Sequence, residues 1–285
     1  MKLSFAVLLL TASVPLALAQ GTYTQIDVPG SLGTECLSVD SAGDLIGEYI
    51  DSSDNWHGFL YSNGVVTNID YPGASYTYPF GINDVGQIVG DADGLGIGFL
   101  YDVQAQTFQK VSDPQASITD ALSINNSGAI AGSIEHGGYW QGFEAVGGRF
   151  NRIAPSNNPD TFVIGITSAG SVAGEAVKAV GVVGLFVYDN GKYTEISVPQ
   201  VGTDVQLSGI NPTGTAIVGY YYPSSGVTAG FLYERGSLTV LQFPGSSYSE
   251  AIGINDSGEV VGLFEDTEGN THGFTWTPPA ADEKK

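Results

Sequence analysis

The chain has 285 residues, of which 30 are acidic and 9 are basic, so its formal net charge is −21. So large an excess of negative charge argues against nucleic acids and anionic membranes as partners. It fits either solubility outside the cell or cation binding, and we favour solubility. With 1 cysteine in the sequence, no disulfide links two parts of the chain.

The first 19 residues predict a secretory signal peptide. Lys2 precedes an apolar run from Leu3 to Leu18, and Ala17-Leu18-Ala19 has the small-x-small pattern of a cleavage site. The apolar run is short for a membrane span, and cleavage leaves Gln20 rather than a lipid-bearing cysteine. We therefore expect a soluble, exported protein, extracellular or periplasmic, without membrane insertion. Residues 280–285 form a polar tail.

One motif recurs along almost the whole chain. Its six copies place a turn glycine at a spacing of 42 to 44 residues, at Gly43, Gly86, Gly128, Gly170, Gly214 and Gly258. A constant period of this length indicates a solenoid, a propeller or an array of repeats. The apolar segments are short, rich in Val, Ile, Phe and Tyr, and bounded by Gly, Asn, Asp and Pro. This composition predicts strands joined by turns.

Each repeat predicts four strands, which we call A to D. In the second repeat they are Pro79–Ile82, Gln87–Gly90, Gly98–Tyr101 and Thr107–Val111, and Gly86 allows the positive φ of the A–B hairpin turn. Four antiparallel strands in ~40–45 residues are the blade of a β-propeller. Six repeats therefore predict an all-β fold, a six-bladed β-propeller.

The two ends of the repeat region predict how the ring closes. The sixth repeat stops after strand C, at Phe274–Pro279, and has no strand D. The segment Thr22–Gly30 matches strand D of the first repeat, Thr67–Gly73. We predict that this N-terminal strand completes the last blade and covers an exposed sheet edge. The propeller then spans residues 20–279 as one domain, and we expect a monomer.

Cys36 falls at a position that is apolar in every repeat. The equivalent residues are Pro79, Ala121, Val163, Leu207 and Ala251. We therefore expect Cys36 to be a small buried side chain rather than a nucleophile.

Two tripeptides, His57-Gly58-Phe59 and His272-Gly273-Phe274, begin strand C of the first and last repeats. With the glycine-rich turns before them, they resemble the HAF-repeat family of bacterial extracellular proteins, and the repeat covers nearly all of the chain after residue 19. Both tripeptides carry Gly in the middle, and the other repeats replace the His by Ile97, Gln141, Val183 and Ala229. The resemblance implies an extracellular repeat protein and no particular activity.

The loops predict two different faces. The A–B and C–D turns are short and uniform, so we expect this short-turn face to be structural. The B–C and D–A loops vary and are rich in aromatic and acidic residues, and loops on a rigid scaffold commonly bind ligands. The candidate ligand-binding residues on this long-loop face are Asp51, Asp54, Trp56, Tyr78, Asp93, Glu135, Tyr139, Trp140, Tyr222, Tyr248 and Asp266. Rings beside carboxylates suit carbohydrate; the alternative is that these residues only cap the blades and face solvent.

Metal binding is a separate hypothesis. Asp91-Ala92-Asp93-Gly94 and Asp266-Thr267-Glu268-Gly269 hold oxygen ligands close together, so calcium is a candidate, although neither segment completes an EF-hand loop. Closure makes His57 and His272 neighbours, and we favour a packing role for them over a shared zinc. No motif indicates a resident cofactor.

The functional hypotheses fall into two classes. No Gly-x-Ser-x-Gly elbow, His-Glu-x-x-His or phosphate loop is present, and we assign no catalytic residue. We favour a secreted binding or scaffold module that recognises a glycan or a surface protein through the long-loop face. The alternative is an extracellular glycan-active hydrolase or lyase, because paired carboxylates leave no local motif. Such an enzyme predicts one irregular blade, and the third, with a B–C loop at residues 135–140, is the most irregular.

Overall fold

The computed structural model describes residues 20–155, 160–178, 182–196, 205–223 and 226–279. Within these residues the regular structure consists of 24 β-strands in six four-stranded antiparallel sheets. The predicted signal peptide, 1–19, and the predicted tail, 280–285, lie outside the described residues. In the part of the chain that the structure describes, no helix is long and apolar enough to cross a membrane.

Each sheet is one blade of a six-bladed β-propeller, and in the first five blades the strands run in chain order from the centre of the ring outward. Blades one to three contain β2 (Gly33–Val39), β3 (Leu45–Ile50), β4 (Trp56–Ser62), β5 (Val65–Ile69); β6 (Thr77–Ile82), β7 (Gln87–Ala92), β8 (Ile97–Asp102), β9 (Thr107–Val111); and β10 (Ile118–Ile124), β11 (Ile130–His136), β12 (Tyr139–Val146), β13 (Arg149–Ile153). Blades four to six contain β14 (Thr161–Ile166), β15 (Val172–Lys178), β16 (Val182–Asp189), β17 (Lys192–Ile196); β18 (Val205–Ile210), β19 (Ala216–Tyr221), β20 (Ala229–Glu234), β21 (Ser237–Leu241); and β22 (Tyr248–Ile254), β23 (Val260–Glu265), β24 (Thr271–Thr277), with β1 (Thr22–Ile26) outermost.

The predicted closure of the ring is confirmed. Strand β1 pairs antiparallel with β24, from Thr22 opposite Thr277 to Ile26 opposite Gly273. The aromatic ring of Tyr23 packs against Phe274 of the same blade, with ring centroids 5.9 Å apart. The sixth blade therefore gains its outer strand from the N-terminal end of the chain.

The core lies between the blades. The third strand of each blade places a phenylalanine against the neighbouring blade. Five of these rings are fully buried: Phe59, Phe99, Phe143, Phe231 and Phe274. Burying side chains of this size supplies much of the stabilisation of a sheet-on-sheet interface. Cys36 is fully buried, as expected, and burial raises the pKa of its thiol, which keeps it unreactive.

Every inner strand carries a β-bulge at the same place. The register shifts between Cys36 and Ser38 in the first blade and at the five equivalent positions of the others. The bulges bend the inner strands around the axis and surround a central cavity of about 70 Å³. That volume is well below the ~300–1,000 Å³ of a typical ligand pocket.

The short-turn face is tied together by asparagines that end the inner strands. Asn83 Nδ2 donates to the carbonyl of Asn125, Asn125 Nδ2 donates to that of Thr167, and each bond is 3.0 Å long. Asn255 Nδ2 donates to the carbonyl of Asp40 at 2.8 Å, across the junction of the last and first blades. These side chains are buried. The geometry supports the structural role that we expected for these turns.

Candidate ligand-binding site on the long-loop face

Exposed aromatic side chains distinguish the two faces. Among the described residues, Tyr139, Phe162 and Tyr222 are the exposed aromatics, with exposures of 54%, 38% and 50%. All three lie where strands meet the B–C or D–A loops, on the long-loop face. On the short-turn face the exposed large apolar residues are the aliphatic Val65, Val85 and Val146. Only the long-loop face therefore offers rings for stacking, within the part of the chain that the structure describes.

Polar and aromatic residues also surround the axis at the long-loop ends of the inner strands, a region that we call the mouth. Its inner-strand members all precede the buried residue at the bulge: Glu35, Tyr78, Asp120, Phe162, Gln206 and Glu250. Facing them across the sheets, on the second strands, are Glu48, Asp91, Ser133, Glu175 and Tyr220. The inner strands of neighbouring blades contact one another, so these residues form one group around the centre of the ring.

Glu35 and Glu48 form a cross-strand carboxyl pair in the mouth. The two residues lie directly opposite each other on β2 and β3. Burial and the charge of Glu35 raise the pKa of Glu48. Burial and the charge of Glu250 raise the pKa of Glu35, and the hydrogen bond from Glu48 opposes that rise. Both carboxyl groups of the pair therefore hold a proton more tightly than an isolated carboxyl group does.

One oxygen of this pair has no partner. Glu48 is 9% exposed, and its Oε2 lacks a hydrogen bond within the described part of the chain. At the equivalent position, two other second-strand residues do accept a hydrogen bond. Ser133 Oγ accepts from the backbone N–H of Val163, and Glu175 Oε1 accepts from that of Leu207. In the blade next to Glu48 this position is Pro79, which has no N–H to donate. The mouth therefore contains an unpaired buried acceptor.

Four further carboxyl groups of the mouth, those of Asp91, Asp120, Glu175 and Glu250, have raised pKa values. Burial, with repulsion from Asp120 and Asp93, raises the pKa of Asp91 to about 7. Burial raises the pKa of Asp120 to about 6. Burial also raises the pKa of Glu175, although the N–H of Leu207 opposes it. Asp91 and Asp120 therefore change protonation near neutral pH instead of near pH ~4, the ordinary range for a carboxylic acid.

Tyrosines from the fifth and sixth blades border the same mouth. Tyr248 Oη donates a hydrogen bond to Glu250. The rings of Tyr220 and Tyr222 pack edge to face with centroids 5.8 Å apart. Burial and the charge of Glu250 raise the pKa of Tyr220 to about 12, so its hydroxyl stays protonated. Of the residues predicted from sequence, Tyr78, Tyr222 and Tyr248 are thus the ones that the structure brings to the mouth.

Two predicted acids, Asp51 and Asp266, shape their own loops. Asp51 Oδ1 accepts from the backbone N–H groups of Ser53 and Asn55, and Asp266 Oδ1 makes the same bonds in the sixth blade. These bonds, chiefly those from Asn55, hold the pKa of Asp51 below its ordinary value. The side chains are only partly exposed, so each carboxylate already has partners within its loop.

The two repeat histidines lock these loops to the outer strands. His57 Nδ1 lies 3.1 Å from Asp70 Oδ1, and its Nε2 lies 3.3 Å from Asp51 Oδ2. His272 repeats the pattern with Asp27 at 2.8 Å and Asp266 at 3.3 Å. Although partial burial disfavours the imidazolium, the bonds to both carboxylates raise the pKa of each histidine. Each ring thus contacts its own pair of carboxylates, which favours the packing role.

The B–C connection of the third blade is shorter than the loop that we expected. Glu135 and His136 end β11, Tyr139 and Trp140 begin β12, and the connection is a two-residue turn. Both turn residues, Gly137 and Gly138, have positive φ, which suits a tight hairpin. The expectation of an irregular B–C loop at 135–140 was wrong because the glycine pair lets the strands extend. Trp140 lies one strand outside the mouth, and its ring contacts that of Phe162 at 6.0 Å.

The remaining predicted residues lie further from the axis. Trp56 begins β4, the third strand of its blade, and Asp54 occupies the adjoining loop with a φ of 62°. Asp93 directly follows β7, so it lies near the mouth, and it is exposed. The predicted set therefore divides into an inner group around the mouth and an outer group on the third strands and their loops.

Lys178 ends β15, the strand whose Glu175 belongs to the mouth, and the other basic residues that the structure describes lie away from it. Four of them lie on outermost strands and one lies in a C–D turn: Lys110, Arg149, Arg152, Lys192 and Arg235. Within the described residues, no three His, Cys, Asp or Glu side chains lie close enough to hold a metal ion.

The short-turn face has a separate cleft between the fifth and sixth blades. Its volume is about 610 Å³, and its lining includes Arg235, Asp256, Trp276 and Pro279. Trp276 is 3% exposed, and its Nε1 has no hydrogen-bond partner within the described residues. The cleft is large enough for a small molecule, but its tryptophan is packed into the blade and presents no exposed ring.

Comparison with known proteins identifies the architecture. No protein-family model matches the chain, and no curated protein sequence matches it. Solved structures do match. TolB from Acinetobacter baumannii aligns with a TM-score of 0.56 and 12% identity over 88% of this chain. This chain spans 65% of the TolB chain. The shared fold is the β-propeller.

Two further matches cover nearly the whole of both chains. The Aleuria aurantia lectin in complex with Fucα1-6GlcNAc aligns with a TM-score of 0.52 and 11% identity, over 88% of this chain and 98% of the lectin. A catalytically inactive virginiamycin B lyase from Staphylococcus aureus with quinupristin aligns with a TM-score of 0.54 and 11% identity, over 90% of this chain and 99% of the lyase. At these identities the likeness extends to the fold, which hosts both binding proteins and lyases.

Proposed function

We propose that this protein is a secreted binding module of the HAF-repeat kind that recognises a glycan at the mouth and the neighbouring rings of the long-loop face. The observation that carries the proposal is the asymmetry of the exposed aromatic residues, Tyr139, Phe162 and Tyr222. Rings supply flat apolar surface for the faces of sugar rings, and carboxyl groups accept hydrogen bonds from their hydroxyls. The lectin match is compatible with such a role.

Glycan profiling of the purified protein tests the proposal, with variants on both faces. For a glycan that binds, Tyr222→Ala should weaken affinity at least tenfold, about 1.4 kcal/mol, because an exposed aromatic anchor is lost. Val85→Ala, on the short-turn face, and Arg235→Ala, at its cleft, should leave the affinity within about twofold of the wild type. Sensitivity to Arg235→Ala combined with indifference to Tyr222→Ala would place the ligand in the cleft and refute the proposal.

A glycan-active hydrolase or lyase is the second candidate, and the protonation of the mouth favours it. Asp91 and Asp120 have pKa values of about 7 and about 6, the range in which a carboxyl group serves as a general acid or base. Incubation with the bound glycan, followed by mass spectrometry, should then reveal shortened products that Asp91→Asn abolishes. If the glycan is still intact after prolonged incubation with the wild type, the enzyme alternative is refuted and only the binding function remains.

A further inference from the structure

His272 lies between two carboxylates that come from opposite ends of the chain. Its Nδ1 lies 2.8 Å from Asp27 Oδ1, and its Nε2 lies 3.3 Å from Asp266 Oδ2. Asp27 directly follows β1, and Asp266 directly follows β23, in the B–C loop of the sixth blade. His272 and Asp27 are 245 positions apart in sequence, so the histidine ties the closing strand of the ring to the last blade.

The contacts of both ring nitrogens favour a doubly protonated imidazole. A neutral imidazole has one N–H and one bare nitrogen, and a carboxylate oxygen only accepts hydrogen bonds. A neutral His272 would therefore present a lone pair to a carboxylate at one of its nitrogens, whereas the imidazolium donates to both. Gln25 Nε2 lies 3.0 Å from Nδ1, but it donates to Asp27 Oδ2 at 2.7 Å, and the shorter contact of Nδ1 is with Asp27.

Asp27 and Asp266 are the charged groups that act on His272 among the described residues. The ring of Phe264, on β23, stacks on the imidazole with centroids 5.1 Å apart. Glu265 is the next residue along β23, so alternation directs it to the opposite side of the sheet. The other titratable residues on the elements packed against His272 face the mouth, the core or solvent: Tyr23, Glu35, Cys36 and Glu268.

The first blade contains the same arrangement in a different setting. His57 lies 3.1 Å from Asp70 and 3.3 Å from Asp51, and the ring of Tyr49 stacks on it. Asp70 follows β5, which a hairpin turn at residues 63–64 joins to β4. Strand β1 has no hairpin to β24, because the two strands come from opposite ends of the described chain. Only at His272 do the ion pairs therefore hold a strand that can detach from its partner.

We propose that His272 is a pH-dependent latch on the closure of the ring. As an imidazolium it holds the end of β1 to the sixth blade. When it loses one N–H proton to solvent, the bare nitrogen repels the carboxylate beside it, and β1 detaches more readily. The inference is independent of the ligand that the long-loop face binds.

The direction of the pH dependence follows from the contacts. Partial burial lowers the pKa of His272, but the bonds to Asp27 and Asp266 outweigh burial and raise it. The folded state therefore holds the proton more tightly than the unfolded chain does. The latch is fully engaged below pH ~6.5, the ordinary pKa of histidine, and is lost as the pH rises through the raised value.

Hydrogen exchange of the full chain at about pH 6 and about pH 8.5 tests the latch. Mass spectrometry gives the exchange rate of the peptide that contains β1, and division by the intrinsic rate at each pH gives a protection factor. In the wild type, protection of β1 should fall at least about threefold at the higher pH, the size expected of a partly exposed ion pair. Strand β9, where Ile97 replaces the histidine, should keep its protection.

Three variants locate the effect. His272→Gln should show the low protection of β1 already at the lower pH and little further change. Asp27→Asn keeps the histidine but removes the carboxylate beside β1, so it should also remove the pH dependence. His57→Gln makes the matched change in the first blade and should leave the pH dependence of β1 as in the wild type. Circular dichroism confirms that each variant is folded.

Titration of the imidazole protons by NMR measures the latch directly. The pKa of His272 should lie above ~6.5 in the wild type and fall in Asp27→Asn. A wild-type pKa at or below that value refutes the latch, and so does a His272→Gln variant that keeps the wild-type pH dependence of β1. If His57→Gln abolishes that dependence, or if β9 loses protection in parallel with β1, the pH acts on the whole propeller and the assignment to His272 is refuted.

Discussion

The carboxyl groups of the mouth make the stability of the protein depend on pH in an unusual direction. Most folded-state carboxylates have lowered pKa values and stabilise a protein as the pH rises. Asp91 and Asp120 have raised values, so the folded state binds their protons more tightly than the unfolded chain does. Their contribution is fully present at pH values below the ordinary carboxyl range and is lost as the pH rises.

Asp91→Asn should flatten that dependence. In the wild type the contribution of Asp91 is lost between pH ~4, its ordinary pKa, and about pH 7, its pKa in the folded state. Melting temperatures measured from acid to neutral pH should therefore fall more steeply for the wild type than for Asp91→Asn. Asp54→Asn, in an exposed loop, should preserve the wild-type slope. A wild-type slope in Asp91→Asn would contradict the raised pKa.

The sequence carries a signal for the mouth that lies within the strands and not in the loops. The column of Cys36 and its equivalents was recognised as buried, and the residue immediately before it in each repeat belongs to the mouth. Acidic residues fill that column at Glu35, Asp120 and Glu250, which were not candidates, and an aromatic one at Tyr78, which was. These residues lie within strands, whereas the candidates were sought in loops. Alternation along a strand places them opposite the buried face, but only the closed ring brings six such positions together.

At the level of strands, glycines set how closely neighbouring strands and rings can pack. A Cβ on Gly90 of β7 would overlap the carbonyl oxygen of Tyr78 and the ring of Phe99. Gly33 of β2 is also buried, yet a Cβ there would meet its nearest atoms at 3.7 Å, an ordinary contact. The two glycines thus occupy similar strands under opposite packing constraints.

Gly90→Ala should destabilise the protein by ~1–3 kcal/mol, because the added methyl group forces the inner strand or the phenylalanine to move. Gly33→Ala should change the free energy of unfolding by no more than ~0.5 kcal/mol. Urea titration monitored by tryptophan fluorescence measures both. Equal midpoints for the two variants would show that the close approach at Gly90 relaxes without strain.

Strand order and turn chemistry could be predicted well, whereas strand length could not. The predicted D strand, Thr107–Val111, is confirmed residue for residue, and the turn glycine Gly86 has a φ of 76°. Strand A was predicted from Pro79, but it begins at Thr77, because the hydroxyl of Thr77 anchors the strand by accepting from the N–H of Tyr71. That bond links residues six apart through a loop, and no local pattern marks it.

Strand β1 closes the ring, so we expect removal of the N-terminal segment to lower the stability of the whole protein. Without it, β24 becomes a free edge, and His272 loses Asp27. A chain that begins at Ser31 should therefore melt at least about 5 °C lower, equivalent to ~2 kcal/mol, and should associate through the exposed edge. Differential scanning calorimetry and light scattering measure both effects.

Tyr23→Ala provides the comparison for that truncation. It removes the ring contacts with Phe274 while leaving the backbone pairing of β1 in place. The variant should melt lower than the wild type but remain monomeric, because no strand edge is uncovered. A truncated chain that melts like the wild type and stays monomeric would refute the structural importance of the closure.

Because Thr22 pairs with Thr277, the two ends of the propeller lie side by side. The same strands could therefore be connected in a different order along the chain. The two residues are adjacent across one ladder, so a short peptide can join them without crossing the ring. New ends could then be opened at a hairpin such as Asn63-Gly64, where both residues have positive φ and the turn is exposed. Such a circular permutant would move the junction from the sixth blade to the first. Because all blades share one architecture, any of them can hold the ends of the chain.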